Sequence, residues 1–164
     1  MRETICRLAL AACLVSGQAR ADPPALTTGQ LFDICKAPSV SEAAARGDRL
    51  GWSRSDEAQL DEWRQSFMRY NGGSVDVVGW KRGEAERGDS LSFWVAEGPN
   101  GHKACAYSAA DASGLLEALS RHLGKPDSLD KTEVVTSAYW KTGSIEVYYS
   151  QVGAGALVNI SSQD

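Results

Sequence analysis

"DSLSFWVAEGPNGHKACAYS", Asp89 to Ser108, decides how this chain is read. Its first half alternates: Leu91, Phe93 and Val95 fall on one side and Ser92 and Trp94 on the other, the period of a half-buried strand. Gly98-Pro99-Asn100-Gly101 has the composition of a turn, and "HKACAYS" from His102 is a strand running back. So short a connection implies antiparallel pairing.

Working outward, the same period of two recurs in "VDVVGWKR" from Val75, "EVVTSAYW" from Glu133, "SIEVYYSQ" from Ser144 and "GALVNISS" from Gly155, with Lys141-Thr142-Gly143 turning the first of the later pairs. Helical signals lie elsewhere. Thr27 or Thr28 caps a short segment ending at Cys35 that carries Leu31, Phe32 and Ile34, and Pro38 stops it. Ser39 or Ser41 caps "SEAAARGDRLGW", which Gly47 weakens and Gly51 ends. In "SDEAQLDEWRQSFMRYNGG" from Ser55, Leu60, Trp63, Phe67 and Tyr70 form one stripe, and Asn71-Gly72-Gly73 stops the helix. A last helix, capped by Asp111 or Ser113, carries Leu115, Leu116, Leu119 and Leu123 and ends at Gly124 and Pro126. These elements predict an α+β domain, with helices on one face of a twisted antiparallel sheet of about six strands. The order helix, strand, strand, strand occurs twice, with Trp80-Lys81-Arg82-Gly83 and Trp140-Lys141-Thr142-Gly143 placed 60 residues apart. Internal duplication is one reading of that recurrence and chance the other.

Residues 1–21 have the order of a secretory signal peptide: Arg2 and Arg7, the apolar run Leu8 to Val15, then Ala19-Arg20-Ala21. The expectation is cleavage after Ala21 and a single domain over 22–164, delivered to the periplasm or the medium. The alternative is a lipoprotein anchored through Cys13, since Leu10-Ala11-Ala12-Cys13 resembles a lipidation site, although Arg7 leaves a short apolar core before it. No segment approaches the roughly 20 apolar residues of a spanning helix. Removing Arg2, Arg7, Arg20 and Glu3 takes 17 basic and 21 acidic residues to 14 and 20, a net charge of −6. That excess disfavours nucleic acid as a partner and serves solubility.

Cys6 and Cys13 leave with the leader, and an oxidising compartment favours joining the remaining Cys35 and Cys105. His102 and Cys105 lie three apart in a strand and therefore point to opposite faces, which excludes them as a catalytic pair. Two histidines and two cysteines without paired short spacings make no zinc site, and no other metal or cofactor is implied. Glu84, Glu86 and Asp89 lack the pattern of a calcium loop and read as a solvated turn. His102 reads as a turn residue, and His122 as a residue placed by the dipole at the end of the last helix. There is no nucleophile elbow and no phosphate-cradling glycine loop, so no catalytic residue is assigned.

The aromatic residues are the better lead. Trp94 lies opposite Leu91, Phe93 and Val95, Tyr148 lies opposite Ile145, Val147 and Tyr149, and Trp80 shares its side with Asp76 and Val78. If the larger apolar sets face the helices, Trp80, Trp94 and Tyr148 line the other side of the sheet as a binding surface, or else pack across strands and under helices. The expected function is a non-enzymatic binding module of the envelope with a protein or small-molecule partner. The alternative is a small envelope hydrolase whose site is assembled from scattered Ser, Asp, Glu and His.

Overall fold

Strand formation is continuous wherever the two-residue period was strongest. The computed structural model describes residue 23, residues 25–84 and residues 87–162. The expected leader with its expected cleavage site, and Cys13, lie outside these. Strands β2 (Val75–Arg82), β3 (Asp89–Ala96) and β4 (His102–Ala109) form one meander, and β6 (Val135–Thr142), β7 (Ile145–Val152) and β8 (Gly155–Ser162) form another. They join through β4 and β8. The full sheet has the order β1-β2-β3-β4-β8-β7-β6-β5 with every pair antiparallel.

Among the described residues the sheet therefore has eight strands, not six. The two extra ones are β1 (Ser53–Arg54) and β5 (Ser128–Lys131), one at each edge. Both are too short and too polar to show a period, and their partners Trp80 and Lys81, and Thr136 to Tyr139, define them.

Register is matched between the meanders. Trp80 opposes Leu91 and Leu91 opposes Tyr107, as Trp140 opposes Val147 and Val147 opposes Ile160. At the centre of the β4–β8 ladder Ala106 opposes Asn159, its own equivalent in this correspondence.

Helix α1 (Thr28–Cys35) begins in a capping box between Thr27 and Gln30. Helix α2 (Val40–Gly47) is capped by Ser39, continues as a 3-10 turn over Asp48–Leu50 and stops where Gly51 takes φ 71°. With α4 (Leu115–Leu123) they cover the sheet face that carries Val78, Trp80, Leu91, Phe93, Tyr107, Tyr149 and Val158. The start of α4 departs from expectation. Gly114 in the left-handed region precedes its first turn without a side-chain cap, and Asp111 instead accepts from the Ser113 N–H.

Cys35 on α1 is bonded to Cys105 on β4 through this core, with Cα atoms 5.4 Å apart. Pinning the first helix to a central strand across 70 residues of sequence removes much of the unfolded chain's freedom.

Helix α3 (Glu57–Asn71) contradicts the one-sided arrangement. It is capped by Asp56 and lies on the opposite face, against β2 and β3. The physical reason is visible in β2, where Val75, Val77, Val78, Gly79 and Trp80 are all buried. A strand covered on both sides loses alternation as a guide to its buried side.

Candidate functional site

Trp94 projects from β3 on the α3 side, since it pairs with Val77 and Ala104 whereas Phe93 pairs with Val78 and Cys105 in the main core. Part of the expected α3 stripe meets it: Trp63 stacks on Phe67 at 5.0 Å, and Trp94 lies 5.3 Å from Trp63 and 6.5 Å from Phe67, whereas Tyr70, expected in the same stripe, is 85 % exposed. His102 closes the cluster edge-on to Trp94. The indole N–H of Trp94 donates to His102 Nε2 at 3.3 Å, and because indole only donates, Nε2 must accept. The ring proton then sits on Nδ1, 2.9 Å from the Asn100 carbonyl. His102 is thus a half-buried pin under α3 rather than a turn residue. His122 stacks on Phe32 at 4.4 Å, a packing role that its place near the helix end did not announce.

Beyond α3 no other element among the described residues covers the same face. The register aligns Tyr148 with Asn159, Ala106 and Ser92 in one row across β7, β8, β4 and β3, and Ser150 with Leu157, Ser108 and Ser90 in the next. Tyr139 of β6 sits beside Tyr148. Tyr148 is 45 % exposed and Leu157 40 %, with Val152 more open still. At one end of this face Lys141 Nζ binds Glu146 Oε1 at 2.7 Å and Tyr139 donates to the same carboxylate, and at its β5 edge the exposed Asp130 stands beside Ser137. The Lys141 hydrogen bond holds Glu146 below the usual carboxylate range, while partial burial and then the Glu146 charge raise Tyr139.

Of the three aromatic residues expected on an open face, the structure places Tyr148 there and sets Trp94 on the same face beneath α3. Trp80 is corrected outright. It is completely buried on the main core side, its ring against Gly47 of α2 and its indole N–H bonded to Asp48 Oδ1 at 3.1 Å. Arg54 completes that corner with two hydrogen bonds to Asp48 and its guanidinium 5.3 Å from the Trp80 ring. The Arg54 bonds, then the Trp80 bond, hold Asp48 below its ordinary range.

Asp89 is also displaced from its expected role. The solvated acidic turn holds for Glu84, which is exposed; Glu86 lies outside the described residues. Asp89 is buried and fully engaged: Arg82 Nη2 donates to Oδ2 at 2.7 Å, Tyr107 donates to the same oxygen, and the Ala110 N–H donates to Oδ1 at 2.9 Å. This hub ties the β2–β3 hairpin to the end of β4. Burial, and then the Asp89 charge, push Tyr107 far above the ordinary tyrosine range.

Among the described residues no three of His, Cys, Asp and Glu converge as metal ligands, and neither histidine has a carboxylate or a serine as a hydrogen-bond partner. No family model, no curated protein and no solved structure matches this chain.

Proposed function

We propose that this chain is an exported, non-enzymatic binding module that holds a protein partner on the half of its sheet left open by α3. The observation that carries the reading is the lopsided cover of that face. Helix α3 seals β2 and β3, and the strands beyond it present Tyr148, Leu157 and Val152 among Ser137, Ser150 and Asn159. Tyrosine supplies rigid contact area at low entropic cost, and serine and asparagine supply adaptable hydrogen bonds. Four strands spaced about 4.8 Å apart and eight residues long at about 3.3 Å each give on the order of 500 Å². That approaches the roughly 800 Å² per partner of a standard protein interface once a rim is added. Small-molecule sites are concave, whereas this face is open. The cystine, and the absence of a helix long and apolar enough to span a membrane among the described residues, support export.

The test is native mass spectrometry of protein purified from its own host's envelope, comparing wild type with Tyr148→Arg and Leu157→Glu. A partner retained by wild type and lost from both variants, at unchanged unfolding midpoints, is expected. Equal retention by all three overturns this face as the site.

A further inference from the structure

We propose a second, separate binding site: a groove along the outer edge of β2 that accepts an extended peptide as an added strand. It goes beyond the open-face reading and uses none of its residues.

The argument starts from main-chain directions. The Glu97 N–H donates to the Ser74 carbonyl, and the Ser55 N–H donates to the Gly79 carbonyl, each at 2.9 Å. In a strand these directions alternate. Even-numbered residues of β2 therefore turn their main-chain groups toward β3, and odd-numbered ones turn outward. Strand β1 satisfies the outward set only at its far end, because it spans Ser53–Arg54 and the chain leaves at Asp56 to start α3. The N–H and C=O groups of Val75 and Val77 consequently face an edge with no strand partner among the described residues.

This edge is recessed. A groove of about 450 Å³ runs along it, walled by Val40 and Ala44 of α2 on one side and Leu60 of α3 on the other, with Val77, Val78 and Asp76 on its floor; two further charges line it, but Arg54 is paired with Asp48 and Glu57 with Arg64. Helices overhanging both sides keep out a second copy, whose own β2 is recessed in the same way, and admit a lone extended strand. The other sheet edge differs. Every residue of β5 is exposed, and Asp130 and Lys131 protect it as charges commonly protect edge strands.

Side chains set the occupant's chemistry. Residues opposite Val75 and Val77 lie on the Leu60 side and should be apolar. A residue opposite Val78 meets Val40 and Ala44. A residue opposite Asp76 meets an exposed carboxylate that pairs with no cation among the described residues, and should be Lys or Arg. The occupant is therefore an apolar peptide with a single basic residue.

The probe is the blocked pentapeptide Val-Val-Lys-Val-Thr, whose residues oppose Val78 back to Ser74 and stop short of Gly79, which Ser55 already occupies; it is titrated into the full domain with amide hydrogen exchange read by NMR. At nine-tenths saturation the Val75 and Val77 amides should exchange about tenfold more slowly, since only the unbound tenth remains open. Val77→Pro removes the outward N–H without touching the β2–β3 ladder, which proline tolerates at an open edge, and should abolish the protection. Asp76→Lys, which repels the probe while leaving every edge hydrogen bond, should weaken binding at least about tenfold at low salt. Tyr148→Arg should leave it unchanged, which separates this site from the open face. Unaltered Val75 and Val77 exchange at saturating probe overturns the proposal, as does protection at Ser128–Lys131 instead or equal binding by Asp76→Lys.

Discussion

Gly47→Ala sets two physical effects against each other, and the structure says which wins. Gly47 closes α2, and helix propensity alone predicts that alanine there gains about 1 kcal/mol. The residue is helical with φ −67°, so no backbone strain opposes the change. A Cβ at this position, however, would overlap Cζ2 and Cε2 of Trp80 and lie 2.6 Å from Cη2. The indole cannot step aside, because its ring is fully buried and its N–H is held by Asp48, which Arg54 holds in turn. Overpacking of this kind costs about 1–3 kcal/mol, and a shifted ring forfeits about 1 kcal/mol more in the Trp80–Asp48 bond. The net expectation is a loss of about 2 kcal/mol, a fall in Tm of roughly 4–8 °C for a domain of this size. Urea unfolding followed by circular dichroism measures it. Trp80→Phe removes the overlapping ring edge, so in a double-mutant cycle Gly47→Ala should cost far less when combined with Trp80→Phe than in the wild-type protein. A Gly47→Ala protein more stable than wild type would refute the packing argument and leave propensity in charge.

Two further outcomes follow from the core. Replacing Cys35 and Cys105 together with alanine frees a 70-residue loop and should cost about 4 kcal/mol, and neither of these cysteines should take up a thiol reagent in the native wild-type protein until reduced; alkylation at Cys35 or Cys105 of the untreated native protein would contradict the cystine. Tyr107 has a folded pKa above its unfolded value of about 10, so the unfolded chain releases the proton first and stability falls as pH rises past about 10. Tyr107→Phe should flatten that decline by up to about 1.4 kcal/mol per pH unit, measured by urea unfolding between pH 9 and 12, and an unchanged slope would mean that Tyr107 does not sense its burial.

Much of this was legible in the sequence because period two and period 3.6 are imposed by geometry. Leu91, Phe93 and Cys105 fall on the core side as alternation required, and His102 lies on the other. What escaped notice has physical causes. Trp80 was misplaced because β2 is covered on both faces, leaving nothing in its pattern to name the inner one. Asp89 resembled its exposed neighbours, and only the pairing of Arg82 with Asp89 across the hairpin brings the two charges together. That pairing was available in principle, since opposite charges at the two ends of a hairpin connection are cross-strand neighbours. Of the proposed binding residues, Tyr148 kept its side through simple alternation. The groove at β2 escaped because it depends on where β1 stops, and a two-residue strand has no periodicity to read.

The order of the strands also determines when the sheet can close. Both of its central strands, β4 and β8, are the last of their meanders, and β8 comes last in sequence among the described strands. As the chain emerges from its amino end, the first meander waits with β4 as a bare edge until residues 155–162 arrive. Closure of the sheet therefore waits for β8. Deleting those eight residues would not trim the domain at its border. It would split the sheet down the middle and leave two new edges, β4 and β7, each free to pair with a neighbouring chain.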